Sequence, residues 1–220
     1  MMMLLMTTAA LAGCAGSDVS QDDVDAAYDN GYAAGTADAA SVSTLDTIIT
    51  RGSLKCGVKD SQFGMGYLNA DGTYSGLDIE YCKAIAAAIG VDNIEYILAT
   101  GSNRFELLAS EEIDVLIRTT TWTTTRDAGL NADFAGMNFY DGQGMLVNLA
   151  QFDGATSALD LDGANICVGI GTTTEGNLLD YYELHGMTMT TINSENAATA
   201  QASFLDGSCG VWTGDMSAMV

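Results

Sequence analysis

The densest run of groups able to hold a small anion lies between Asp114 and Asp127. There Asp114-Val115-Leu116-Ile117, which reads as a buried strand, opens into Arg118-Thr119-Thr120-Thr121-Trp122-Thr123-Thr124-Thr125-Arg126-Asp127. In such a turn hydroxyls, main-chain amides and a planar guanidinium can converge on one anion, and a carboxylate matches the guanidinium fork. The same residues also read as a Thr-capped helix start carrying two solvated arginines. Groups for a chemical step are scarce. The single histidine, His185, precedes Gly186 at the end of a helical stretch, where a capping role is expected. No acid-base or nucleophile-base pair stands out.

The elements that must position these residues alternate in type. Thr44 to Ile49 reads as a short helix, Ser53 to Val58 as a strand, and Asp71-Gly72 as the tight turn of a hairpin. A calcium loop at Asp71-Gly72 is excluded because its first ligand position would fall on Tyr67. Ile79, Cys82, Ile85, Ala86 and Ile89 share one helical face that Gly90 terminates. Strands at 94–98 and 114–117 flank a helix at 104–110. Phe139 to Val147 reads as an irregular strand, after which the pattern restarts: helix 158–161, strand 165–169, a Thr-rich turn, helix 175–184, strand 187–191, helix 197–206 and strand 210–212. Two successive α/β units imply two lobes with a cleft, expected at 44–145 and 146–220. Ligands of such sheets sit at the carboxyl ends of the strands.

Composition narrows the function classes. A formal charge of −22 excludes a nucleic-acid-binding surface. All seven cations, Arg51, Lys55, Lys59, Lys83, Arg104, Arg118 and Arg126, precede residue 127, so an anion must be held there or by backbone amides. Residues 15–43, rich in Ala, Asp, Gly and Ser, read as a flexible acidic tether, with a short helix near 22–29 as the alternative. The apolar run from Met1 to Gly13 is too short to span a bilayer and stops at Cys14. Leu11-Ala12-Gly13-Cys14 resembles the lipobox of bacterial lipoproteins, although no Lys or Arg precedes the run; the resemblance implies a signal segment at 1–14 and lipidation of Cys14. The other cysteines, Cys56, Cys82, Cys167 and Cys209, lack C-x-x-C spacing, so no metal site is expected. Disulfides fit an exported protein, and free buried thiols are the alternative. Pairing Cys56 with Cys82 and Cys167 with Cys209 keeps each bond within one lobe, but four cysteines allow three connectivities and the sequence leaves them open.

Several stretches taken in order resemble the periplasmic amino-acid-binding proteins of ATP-binding-cassette importers, in their general L-amino-acid branch (bacterial extracellular solute-binding proteins, family 3). They are Leu54-Lys55-Cys56-Gly57-Val58, Gly76-Leu77-Asp78, Asp114-Val115-Leu116, Thr119 to Thr123 with Arg126-Asp127, Asp133-Phe134-Ala135-Gly136, Tyr140-Asp141-Gly142-Gln143-Gly144 and Gly171-Thr172-Thr173-Thr174-Glu175. The resemblance implies an α/β, two-lobed type II periplasmic binding protein fold without catalysis or cofactor. It also implies a monomer in the periplasm or at the cell surface that delivers free L-amino acids to a membrane permease. Residue by residue, Arg126 matches the arginine on the ligand α-carboxylate, Thr119 and Thr121 its helpers, and Thr172 and Thr173 the second-lobe loop at a helix N-terminus. Asp215 matches the acceptor of the α-ammonium, while Phe63 and Tyr67 match aromatics near the ligand side chain. Arg118 either lines the cleft or pairs with a carboxylate.

Two departures qualify these roles. The prolines usual in the family's ligand loop are absent, as they are from the whole chain. Family members also continue past the Asp215 position, so the chain is expected to be C-terminally truncated with an incomplete second lobe. The rival functions are a cyclohexadienyl or arogenate dehydratase on the same scaffold and a ligand-sensing domain.

Overall fold

A computed structural model describes residues 25–26, 43–130 and 132–219. The signal segment, Cys14 and all of the expected tether except residues 25, 26 and 43 lie outside them. The chain divides into two units, Met1–Ser43 and Thr44–Val220, and the elements below belong to the second.

Helix α1 (Thr44–Arg51) leads into β1 (Ser53–Val58), whose Leu54, Cys56 and Val58 are wholly buried. Burial of all six residues but the half-buried Lys55 suits the centre of a parallel sheet. β1 pairs in parallel with β5 (Asn93–Leu98) on one side and β6 (Val115–Leu116) on the other. A small antiparallel sheet, β2 (Ser61–Gln62), β3 (Gly66–Leu68) and β4 (Tyr74–Ser75), carries the expected hairpin, with Gly72 at φ 85 in its turn. Helix α2 (Leu77–Ile89) buries Ile79, Cys82 and Ala86 and stops at left-handed Gly90. Its Cys82 is bonded to Cys56 of β1. Helix α3 (Arg104–Ala109) precedes β6, and α4 (Thr124–Gly129) follows it.

The second sheet has the order β7-β10-β8-β9. Strands β8 (Ala164–Gly169), β9 (Met189–Ser194) and β10 (Val211–Asp215) are parallel, and β7 (Gln143–Val147) runs antiparallel along β10. One face packs Ile166, Val168 and Val211 on Leu178 and Tyr182 of α5 (Thr173–Leu184). The other packs Cys167, Cys209 and Trp212 on Ala200 of α6 (Ala197–Leu205), and the Cys167–Cys209 bond closes that face. Both disulfides are those expected from the lobe argument.

Three expectations need correction. The run 114–117 is not a buried strand: only Val115 and Leu116 pair, at the edge of their sheet and part-exposed, because Asp114 turns its carboxylate onto Arg51 and the Lys55 amide. The lobe boundary placed after Met145 falls inside β7, since Gln143 already pairs with Asp215 in the second sheet. Residues Ala158–Leu161 do form the expected short helix, of 3-10 type, locked by a capping box between Ser157 and Asp160. Strand β9 starts at Met189 because the Thr188 amide is taken by Asp162, 2.7 Å away.

Candidate functional site

The site residues leave the two sheets at the carboxyl ends of their parallel strands. Lys59 follows β1, Arg118 and the threonine run follow β6, Thr172 lies three residues beyond β8, and Asp215 is the last residue of β10. Topology therefore brings them to one seam between the lobes.

A cavity of about 410 Å³ lies at this seam, lined by Asp78, Thr119 and Thr121 from the first lobe and by Thr173, Thr174 and Asp215 from the second. That size suits a small ligand. Across it the Thr121 and Thr173 hydroxyls meet at 3.0 Å. Thr119 is held at φ 43, a conformation that β-branched residues rarely adopt, and its buried hydroxyl has no hydrogen-bond partner. Strain and an orphaned hydroxyl thus meet at one residue of the cavity wall. Thr123, two residues beyond Thr121, caps α4 by accepting from the Arg126 amide at 3.2 Å. The capped-helix reading of this run thus holds at Thr123, while Thr119 and Thr121 line the cavity.

Arg126 donates through Nη1 to the Thr121 carbonyl at 2.9 Å and through Nη2 to the Gly171 carbonyl at 3.4 Å, with its guanidinium 5.4 Å from the Phe105 ring. It opens onto an adjoining cavity of about 420 Å³ that shares Thr119 and Thr120 with the first. Burial lowers its pKa while Asp215 acts to hold its charge. Thr172 caps α5: its hydroxyl accepts from the Glu175 amide at 3.1 Å and donates to the Gly169 carbonyl at 2.6 Å. The helix consequently begins at Thr173, two residues earlier than its sequence pattern indicates.

Phe63 and Tyr67 are not brought to either cavity. Their rings meet edge to face at 5.7 Å, and Phe63 is 79% exposed. The cause is backbone pinning. The Leu77 and Asp78 amides donate to the Gly64 and Met65 carbonyls at 2.9 and 3.1 Å, which turns Met65 into the first cavity in their place. His185 is the C-cap residue of α5, as expected, and its ring lies tilted at 51° to that of Tyr181 with centroids 4.4 Å apart.

Sequence reasoning passed over a buried charge cluster. Asp78 and Arg104 are 2% exposed and Arg118 is 6% exposed. The ion pairs among the described residues are Arg51–Asp114 and Lys83–Glu80, so none of the three is in one. Arg104 donates to the Gly171 carbonyl at 2.6 Å across the seam, but its Nε, the Arg118 Nε and the Asp78 Oδ2 have no hydrogen-bond partner. Burial raises the Asp78 and Asp215 carboxyls, against the pull of Lys59 and Arg118 on both. The one available signal was the crowding of every cation into the first 126 residues. Nothing in the helical patterns around Asp78 and Arg104 announced that their charges face inward.

Lys59 belongs to the same cluster, and its Nζ donates to Gln62 Oε1. Burial, with the Arg118 charge adding to it, pushes its ammonium down to about 8, against Asp215 and Asp78, which hold it up. An unfolded lysine keeps its proton to about pH 10.4. Between about pH 8 and 10.4 the unfolded chain therefore binds the extra proton, and this residue's contribution to stability rises with pH and is lost again as pH falls through about 8. Lys59→Met is expected to remove that increment. The check is the shift in urea midpoint between about pH 8 and about pH 10, measured in parent and variant; equal shifts in both would reject it.

The two sheets and the seam between them have the two-lobed type II periplasmic binding protein fold. A model of the bacterial extracellular solute-binding proteins, family 3, matches residues 54–153. It is 46% identical over 189 residues to the glutamate/glutamine/aspartate/asparagine-binding protein BztA of Rhodobacter capsulatus, covering 85% of this chain and 55% of the relative. It is 40% identical over 185 residues to the general L-amino acid-binding periplasmic protein AapJ of Rhizobium johnstonii, covering 83% and 54%. Among solved structures, a periplasmic binding protein from Brucella ovis with glutathione bound superposes with a TM-score of 0.75 at 41% identity, covering 81% of this chain and 56% of that one. The chain thus spans about half the length of the curated relatives it matches.

Proposed function

We propose that the chain is the ligand-binding part of an extracytoplasmic amino-acid receptor that serves an ATP-binding-cassette importer. A free L-amino acid enters between the lobes. Arg126, with Thr119, Thr121 and the Thr172–Thr173 loop, takes its α-carboxylate, and Asp215 takes its α-ammonium. Hinge closure then presents the loaded form to a permease. The carrying observation is the opposition, across one seam, of an arginine-threonine turn with an orphaned hydroxyl and the carboxylate of Asp215. The two named relatives, one a binding protein for four amino acids and the other a general L-amino acid-binding protein, support the ligand class. The cycle needs no chemical step. The disulfides suit an oxidising compartment, and lipidation of Cys14 would keep the receptor at the membrane.

A ligand that binds only the folded form raises its melting temperature. L-amino acids at millimolar concentration are expected to do so, with D-enantiomers inactive, in a thermal-shift titration of the chain. No shift with any of the twenty standard amino acids would reject the proposal.

A further inference from the structure

Next to the main cavity lies a smaller one of about 70 Å³, and Thr174 and Asp215 line both. Its walls include Lys59, Arg118 and Trp212. Two acidic groups belong to it as well: Asp215, and Glu195, which is exposed and accepts from Ser102 at 3.0 Å. Arg118 is the unusual member. Its guanidinium is almost wholly buried, and among the described residues its Nε has no hydrogen-bond partner and no carboxylate lies within ion-pairing distance. Arg104, buried close enough to weigh on Arg118, leaves its own Nε unbonded too. A buried cation without a paired anion is costly. In a chain of net charge −22, keeping two such cations beside the ligand seam calls for an anionic guest.

The charge count at the seam gives the guest's class. Lys59, Arg104, Arg118 and Arg126 face Asp78 and Asp215; the further carboxylates nearby, Asp60, Asp141 and Glu195, are part-exposed or exposed, where solvent screens them. A zwitterionic amino acid places its carboxylate near Arg126 and its ammonium near Asp215 and leaves the surplus of two positive charges unchanged. A second carboxylate on the side chain would halve it. A side-chain amide would instead present an NH₂ group to guanidinium and ammonium groups that can only donate.

Resting on the amino-acid-binding reading above, we infer that the cavity walled by Arg118 and Lys59 is a second anionic subsite that takes the side-chain carboxylate of an acidic amino acid. Arg118 and Lys59 are then the residues that set the preference for acid over amide, with Arg104 behind them adding charge.

Calorimetric titration of the chain with L-glutamate, L-aspartate, L-glutamine and L-asparagine tests this. In the parent chain each acid is expected to bind about tenfold or more tightly than its amide, the scale of a charge-assisted hydrogen bond over a mismatched one. Arg118→Met should collapse that ratio to within about threefold by weakening the acids while glutamine holds its affinity, which also reports an intact fold. Arg118→Lys should retain part of the ratio. If Arg118→Met binds nothing, Lys59→Met decides: a reduced acid-to-amide ratio supports the subsite, and an unchanged ratio overturns it. Amides bound as tightly as acids by the parent, or equal losses for both in Arg118→Met, would overturn the inference and leave amino-acid binding standing. No binding of any of the four would remove both.

Discussion

Replacing Arg126 with alanine is expected to weaken the binding of every L-amino acid by about a hundredfold or more, whatever the side chain. Truncating one partner of a hydrogen-bonded charge pair costs about 2–5 kcal/mol, and each ~1.4 kcal/mol is a factor of ten. Loss across all side chains is the distinguishing mark, because the α-carboxylate is common to them all. The fold should tolerate the change. The guanidinium's partners are two backbone carbonyls and the Phe105 ring at the seam, and none is in the core of either lobe. Arg126→Lys should fall between parent and alanine variant, since it keeps the charge and loses the fork. Equilibrium dialysis with labelled amino acids is the check, and parental affinity in Arg126→Ala would remove this residue from the site.

The second large effect comes from a residue that touches no ligand. Gly101 is buried where the lobes meet, and a Cβ built on it would lie 2.4 Å from the Ile170 carbonyl oxygen. On the other side Gly171 adopts φ 65, and a Cβ there would come within 2.9 Å of the Gly101 carbonyl oxygen. The lobes are therefore in backbone contact, and only glycine at 101 allows it. Gly101→Ala should hold them apart, so that fewer molecules reach the closed, binding-competent form and apparent affinity falls by about ten- to a hundredfold. Stability of the unliganded chain should stay within about 0.5 kcal/mol of the parent, because parting of the lobes relieves the clash without disturbing the core of either. Small-angle scattering at saturating amino acid should show contraction of the parent and none of the variant. A variant that contracts and binds like the parent would show that the Gly101–Ile170 approach does not limit closure.

Most of the fold could be read from hydrophobic spacing and turn residues. The face formed by Ile79, Cys82 and Ala86, the Asp71-Gly72 hairpin and the cysteine pairing within each lobe all depend on near neighbours in sequence or on one coarse division of the chain. What failed depended on partners distant in sequence. The edge position of Val115 and Leu116 is set by sheet order, and the place of Gln143 by its pairing with Asp215. The resemblance likewise made Phe63 and Tyr67 candidates, and it did not show that amides of Leu77 and Asp78, more than ten residues downstream of Phe63, fix the direction of that loop. The threonine turn was legible because its residue types are rare in such density. Arg104 and Asp78 were not, because a charged residue in an amphipathic helix normally faces water.

The proposal that Arg126 and Asp215 hold the two backbone charges of an amino acid is tested most directly by calorimetry of the chain with one amino acid and two altered forms of it. One form lacks the α-carboxylate and the other the α-amino group. The amino acid should bind at a single site, and each altered form should lose about a hundredfold or more, because each leaves one buried charged group unanswered. Either altered form binding as tightly as the amino acid itself would contradict it.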